Sequence, residues 1–434
     1  MTDFETFLRR GLVRLEEAHL RRRLRTFQAA DGPRFKTPAG AVVQLSSNDY
    51  LGLARHPRVC AAAAEAVATW GAGAGAARLV CGTSPIHEVL EQALADFKRT
   101  DRALAFSSGY ATALGAIPAV VGPGDCVVID RLSHACLVDA ARLSGARLRV
   151  FRHNDLDDLD RILRWAGEER ERGFRRDERR DSASASGPRV GEGAGGARNP
   201  DEGARARGRV LVVTESVFSM DGDRAPLREI VQLKERHGAW LMVDEAHATG
   251  IAGPGRRGVI EELGLEGRVE IPMGTLGKAL GAAGGFVTGS TALVEYLLNR
   301  SRTFVFSTAP PAATAAAAAA AVAVVRSEEG AERVARLQSN LSMLHRSLAE
   351  DGWTLPAPVS PILPLAVGDE NDAVRLAAAL NDEGFLVPAI RYPTVPRGKA
   401  RLRVTVSADH GPDDLVAFRA ALGTALTRTG LRPV

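Results

Sequence analysis

Only five of the 56 basic residues in this 434-residue chain are lysines: Lys36, Lys98, Lys234, Lys278 and Lys399. Any reaction that needs an amine able to shed its proton must use one of them. Lys98 and Lys234 sit on charged helical stretches (DFKRT, QLKERH), and Lys36 and Lys399 lie in polar loops (RFKTP, RGKAR), so all four are expected to be solvated. Lys278 differs. In MGTLGKALGAAGG it follows an apolar run and is flanked by small and apolar residues. Desolvation there would lower its pKa and favour the neutral nucleophile that a Schiff base requires. The segment also suits a lysine that closes a glycine-rich turn. A phosphate-binding P-loop is excluded, because Ala279 stands where Ser or Thr would follow the lysine.

A second segment, WLMVDEAHATG (Trp240–Gly250), puts Asp244 and His247 just past the end of an apolar strand. A carboxylate in that position suits pyridoxal phosphate, whose ring nitrogen must stay protonated for the ring to act as an electron sink. His247 could then reach the ring hydroxyl. A metal pair or a helix-capping aspartate is the alternative, although companion metal ligands are missing. Phe106–Ala113, FSSGYATA, reads as a strand, a Ser-Ser-Gly turn and a helix, an arrangement that aims backbone N–H groups at a phosphate. His134, in RLSHAC, follows the next strand, where its imidazole could stack on a flat ring or serve only as structure.

The elements that must position these residues follow from hydrophobic pattern. Apolar runs at Ala103–Phe106, Cys126–Asp130, Leu148–Phe151, Val210–Thr214, Trp240–Asp244, Ile271–Thr275 and Gly285–Thr288 read as short buried strands, most of them followed by amphipathic segments such as Ser133–Ser144 and Pro226–His237. That alternation predicts an α/β domain with a mostly parallel sheet, helices on both faces, and ligands at the carboxyl ends of the strands. Residues 1–50 read as an N-terminal arm with a small β patch (Ala41–Leu45), 51–329 as the large domain, and 330–434 as a smaller α+β unit. In that unit we expect helix Ala331–Glu350, strand Ile362–Val367, helix Asp372–Glu383, strands Leu386–Ile390 and Leu402–Val406, and a helix after Pro412. A charged, Gly-rich stretch at about 168–208 has almost no large apolar residues and is expected to be a mobile surface insertion.

Composition narrows the class. A net charge of +4, spread along the chain, argues against a dedicated nucleic-acid surface. The run Ala312–Val325 is too short to cross a bilayer and suits a closely packed helix. Cys60, Cys81, Cys126 and Cys136 form no metal-ligand spacing and lie in apolar segments, where they are expected to pack as small hydrophobes in a reducing cytoplasm.

Taken together, the chain resembles the α-oxoamine synthase family of fold-type I pyridoxal-phosphate transferases. The resemblance rests on SSNDYLGLARHP, SSGYATALGAI, DRLSHACLVDAARLSG, TESVFSMDGDRAPL, VDEAHATG, TLGKALGAAGGF, FVFSTAPPA and IRYPTVPRGKARLRVTVSADH, in that order. Members condense an amino acid with an acyl thioester and release carbon dioxide. The wording here is most similar to those that join L-alanine to a pimeloyl thioester, while relatives use glycine with a short acyl-CoA or serine with a long one.

The resemblance implies roles residue by residue. Lys278 carries the cofactor and acts as general base, His134 stacks on its ring, Asp244 binds the ring nitrogen and His247 the ring hydroxyl. Gly109, Tyr110, Ser219 and Thr275 surround the cofactor, with Glu215 nearby. Ser307 and Thr308 reach the phosphate bound in the other subunit of a homodimer. Arg403 grips the amino acid's carboxylate, Asn48 sits in the arm beside the site, and Thr394 and Arg21, with Arg22 and Arg23 adjacent, line the acyl side.

Overall fold

The computed structural model describes the chain apart from residues 1, 19, 23, 30, 38, 39, 185–207 and 434. Helix α1 (Asp3–Glu17) leads into three short strands, β1 (Gln28–Ala29), β2 (Arg34–Thr37) and β3 (Gly40–Gln44). Helix α2 (Pro57–Trp70), a π-helical turn at Arg78–Gly82 and α3 (Pro85–Lys98) follow. Strand and helix then alternate through β4 (Arg102–Phe106), α4 (Gly109–Val120), β5 (Cys126–Asp130), α5 (Ala135–Leu143), β6 (Arg147–Phe151), α6 (Leu156–Ser184), β7 (Val210–Glu215), α7 (Leu227–Arg236), β8 (Trp240–Asp244), α8 (Val259–Glu262), β9 (Ile271–Thr275) and β10 (Gly285–Gly289). Helices α9 (Thr291–Arg300), α10 (Arg302–Val305), α11 (Ala312–Arg326) and α12 (Glu328–Glu350) connect to β11 (Ile362–Gly368), α13 (Glu370–Asp382), β12 (Phe385–Leu386), β13 (Ala389–Ile390), β14 (Ala400–Thr405) and α14 (Pro412–Thr429).

Seven strands form one sheet in the order β4-β10-β9-β8-β7-β5-β6, with β10 alone running against the rest. Its central strands are apolar at nearly every position, and Val127, Val128, Leu211, Val212, Leu241 and Val243 are all fully buried. A strand reads that way when helices cover both faces, so that neither set of alternating side chains meets water. Parallel registry also sets the chemistry: Glu215 lies opposite Asp244, and Asp244 opposite Met273, so the strand ends open at one edge. Among the described residues no helix is long and apolar enough to cross a membrane. The alanine-rich run is helix α11, with Ala315, Ala318 and Ala321 buried.

Four expectations are corrected. The strand foreseen at Leu386–Ile390 divides at Val387-Pro388, since a proline cannot donate to a ladder. Its first piece, β12, pairs with β3, which ties the arm's β patch to the C-terminal unit, and its second, β13, pairs with β14. The stretch foreseen as an insertion from 168 is helical at first, because α6 runs on to Ser184 through Glu- and Arg-rich sequence, both good helix formers; the remainder, 185–207, lies outside the described residues. Cys60 and Cys81 are exposed, while Cys126 and Cys136 are buried.

The fourth concerns the lysines. Lys98 and Lys234 are buried rather than solvated. The Lys98 amine lies 2.9 Å from Glu245 Oε2 and 2.9 Å from Thr249 Oγ1 and also donates to the Arg257 carbonyl. Lys234 donates to Glu270 Oε1 at 2.6 Å. A buried charge is tolerable when its donors are used this way, and partners so distant in the chain leave no local mark in sequence.

Glycines set how closely the loop after Lys278 meets the arm. Gly281 has φ +61°, and a Cβ there would lie 2.2 Å from the Ala54 nitrogen. Gly281→Ala therefore meets both a left-handed backbone cost of roughly 1–2 kcal/mol and a backbone collision. We expect a clear fall in melting temperature, and an unchanged thermal transition contradicts this packing.

Candidate active site

Strand ends deliver the reactive groups. Asp244 closes β8, and three residues later His247 lies in the turn that follows; Lys278 lies in the loop after β9. The Lys278 amine and His247 Nε2 are 2.7 Å apart. On its other side His247 Nδ1 is 2.6 Å from the hydroxyl of Tyr50, which reaches Asn48 Oδ1 at 3.2 Å. Asn48 Oδ1 in turn accepts from both terminal nitrogens of Arg403 at 3.2 Å each, and Arg403 Nε donates to the Ser219 carbonyl at 2.7 Å. One run of close polar contacts thus joins Lys278, His247, Tyr50, Asn48, Arg403 and Ser219.

The electrostatics follow from burial. Desolvation pulls the Lys278 amine below the ordinary lysine range, against the opposing pull of Asp244 and Glu215. It holds the His247 imidazole well below its usual value, with Lys278 adding to the effect, and does the same more mildly to His134. Burial raises the carboxyl of Asp244, whose Oδ1 accepts the Ala246 N–H at 2.8 Å. Glu215, beside it in the sheet, accepts the His134 N–H at 2.6 Å and is pushed up to about 8 by burial and then by Asp244. His134 begins α5, its Nδ1 taking the Cys136 N–H at 3.2 Å and lying 3.0 Å from the Cys136 sulfur.

At the start of α4, Ser108 caps the helix by accepting the Ala111 N–H, and Gly109 sits against Thr275. A Cβ on Gly285 would fall 2.7 Å from Gly109 Cα, so the Ser-Ser-Gly turn closes on β10 only because residue 285 is glycine. Thr275 Oγ1 donates to the Gly284 carbonyl and accepts the Gly277 N–H. The remaining expected residues engage elsewhere. Tyr110 donates to Asp139 at 2.5 Å, Thr308 pairs with Ala77, and Arg21 pairs with Glu16. Ser307 is half-buried and Thr394 exposed. No hydrogen bond among the described residues joins these five to the Lys278 network. Tyr50 was missed as a site residue, although it lies within SSNDYLGL; its one sequence signal is an aromatic hydroxyl two positions after Asn48.

The donor set fits a pyridoxal-phosphate-type cofactor: a desolvated amine, a buried carboxylate, two imidazoles and a helix N-terminus at one sheet edge. Ser133 Oγ, buried beside His134, has no hydrogen-bond partner among the described residues, which leaves a polar atom for a ligand.

Comparison with known proteins agrees. The profile of the aminotransferase class I and II family matches residues 41–422, and the chain belongs to that family. Its architecture is that of the fold-type I pyridoxal-phosphate transferases. More particularly, it is 43% identical over 418 residues to an 8-amino-7-oxononanoate synthase of Geobacter sulfurreducens, covering 96% of this chain and 97% of that protein. A protein of the same name from Symbiobacterium thermophilum is 40% identical over 431 residues, 99% of each chain. Among solved structures, serine palmitoyltransferase from S. paucimobilis with a bound PLP–myriocin aldimine superposes with a TM-score of 0.84 at 29% identity, covering 99% of this chain and 100% of that one. An 8-amino-7-oxononanoate synthase from Francisella tularensis shares the fold, with a TM-score of 0.68 at 23% identity over 90% of this chain and 99% of that one.

The Glu215 environment makes a pH-dependent prediction. Its carboxyl is raised from 4.5 to about 8 in the folded protein. The folded state therefore holds a proton that the unfolded chain releases in that window. Stability contributed by this proton is complete below about pH 4 and is lost as pH rises toward 8, at up to about 1.4 kcal/mol per pH unit. Glu215→Gln keeps an acceptor for the His134 N–H and removes the titration. The cofactor-free variant gains melting temperature over the native protein progressively from about pH 5 to pH 8; a difference that stays constant with pH contradicts the assignment.

Proposed function

We infer that this chain condenses L-alanine with a pimeloyl thioester, with loss of carbon dioxide, to give 8-amino-7-oxononanoate in biotin biosynthesis. The observation that carries the reading is the cluster of Lys278, His247 and Asp244 at one sheet edge, in a chain whose full-length relatives bear that enzyme's name. Pyridoxal phosphate, when bound, supplies an electron sink that makes the amino acid's α-hydrogen acidic.

The protein's own groups do the rest. Lys278, its amine favoured neutral by burial, holds the cofactor and afterwards takes the α-proton on Nζ. Asp244 would hold the proton of the ring nitrogen, and His247 would serve the ring hydroxyl. His134 would lie against the ring, while Gly109, Tyr110, Ser219 and Thr275 would bound the pocket and phosphate. Arg403 releases Asn48 Oδ1 and presents its two terminal nitrogens to the amino acid's carboxylate, a bidentate geometry that lysine cannot reproduce. Thr394 and Arg21 line the acyl side. A homodimer belongs to the same reading, with Ser307 and Thr308 serving the neighbouring subunit's phosphate, as does a cytoplasmic location.

The similarity in fold to serine palmitoyltransferase supports a second reading, in which the same machinery takes L-serine and a long acyl-CoA. A substrate panel following CoA release, with products identified by mass, separates the readings. L-alanine with pimeloyl-CoA is expected to give turnover and the amino-ketone mass. Turnover only with L-serine and palmitoyl-CoA, or only with glycine and acetyl- or succinyl-CoA, overturns the assignment. Lys278→Ala is expected to lower turnover by about 10³-fold or more; retained activity contradicts its role.

A further inference from the structure

Tyr50 is fully buried, and its hydroxyl sits between two polar atoms, His247 Nδ1 at 2.6 Å and Asn48 Oδ1 at 3.2 Å. A phenol has one proton to donate. Asn48 Oδ1 already receives two N–H groups from the Arg403 guanidinium, so its acceptor capacity is filled by charged donors. Nδ1 has no other hydrogen-bond partner among the described residues, and its contact with the hydroxyl is shorter by more than half an ångström. Burial pushes the phenol up to about 12, so the proton remains on Tyr50 at any working pH.

A neutral imidazole carries one proton and one lone pair, and whichever group faces one nitrogen decides what the other presents. The low pKa of buried His247 keeps the ring neutral. Resting on the cofactor reading above, we propose that Tyr50 is a positioning residue that donates to His247 Nδ1 and so leaves the N–H on Nε2, directed at Lys278 and the ring oxygen beside it. Without this donor the ring can adopt the other tautomer, which turns a lone pair toward an oxygen that bears negative charge. The contact also orients the imidazole, whose plane is tilted 45° from the phenol at a centroid distance of 6.1 Å.

The readout is the pH titration of the holoenzyme's visible absorption band, which reports the proton shared between the Lys278 linkage and the ring oxygen. A hydrogen bond to the charged oxygen favours its ionised form. Tyr50→Phe removes one oxygen atom and keeps the ring in its packing. We expect the band to remain and its apparent pKa to rise by about half a unit or more, with weaker retention of the cofactor on dialysis. In a His247→Asn background the same substitution is expected to leave the titration where that variant has it, because the effect runs through the imidazole. An unshifted titration in Tyr50→Phe overturns the proposal, and so does an equal shift in the His247→Asn background. Should Tyr50→Phe not fold, Tyr50→Trp or Tyr50→Leu with a retained band carries the same comparison. A native protein that shows no band with added cofactor refutes the cofactor reading itself, a result distinct from either of these.

Discussion

The 2.7 Å contact between Lys278 and His247 joins loops that leave two neighbouring parallel strands, β9 and β8. It can form only if both strands end at the same edge of the sheet and in register, and this requirement reaches far into the chain. Parallel neighbours need crossover connections, and the crossover helices cover both faces, which makes the strands apolar throughout. Strands β4, β5 and β7 end at the same edge, which is why Gly109, His134 and Glu215 gather there. The N-terminal arm completes the arrangement, since Asn48 and Tyr50 link His247 to Arg403 on β14. The large sheet, the arm and the C-terminal unit thus meet in one network of polar contacts.

Burial is the force that gives this cluster its chemistry. The same desolvation lowers an amine and two imidazoles while raising two carboxylates, so proton affinities that differ widely in water are drawn toward one another. Consecutive residues near the strand end divide the work. Asp244 serves the Lys278 cluster, whereas Glu245 takes the Lys98 amine and the Ile260 N–H on the opposite side. Lys98 is buried and Lys278 half-buried. Lys98 is spent on three acceptors, whereas Lys278 meets an imidazole, a difference that suits Lys278 to the nucleophile's part in the proposed function.

Much of this was legible in the sequence. The central strands declare themselves as apolar runs too short for helices, and Cys126–Asp130, Trp240–Asp244 and Ile271–Thr275 carry the same limits in the fold. Lys278, Asp244 and His247 could be singled out because strand ends are where such a sheet exposes chemistry. Tyr50 could not, since its partner His247 lies 197 positions away and a tyrosine in an apolar motif looks like core. The burial of Lys98 was hidden for the same reason, its α3 segment being charged and amphipathic. The division of Leu386–Ile390 turned on a single proline, a local break that the apolar pattern passes over. Tyr110, Ser307, Thr308, Thr394 and Arg21 stand apart from the network in one chain, and their proposed roles depend on a second subunit or on bound substrate.

In the proposed function Lys278, alone among the five lysines, holds the cofactor. Borohydride reduction of the holoenzyme converts the imine to a stable secondary amine, and peptide mass mapping then locates it. We expect the phosphopyridoxyl mass on the peptide that contains Lys278. Modification of Lys98, Lys234 or a surface lysine, with Lys278 unmodified, contradicts the account.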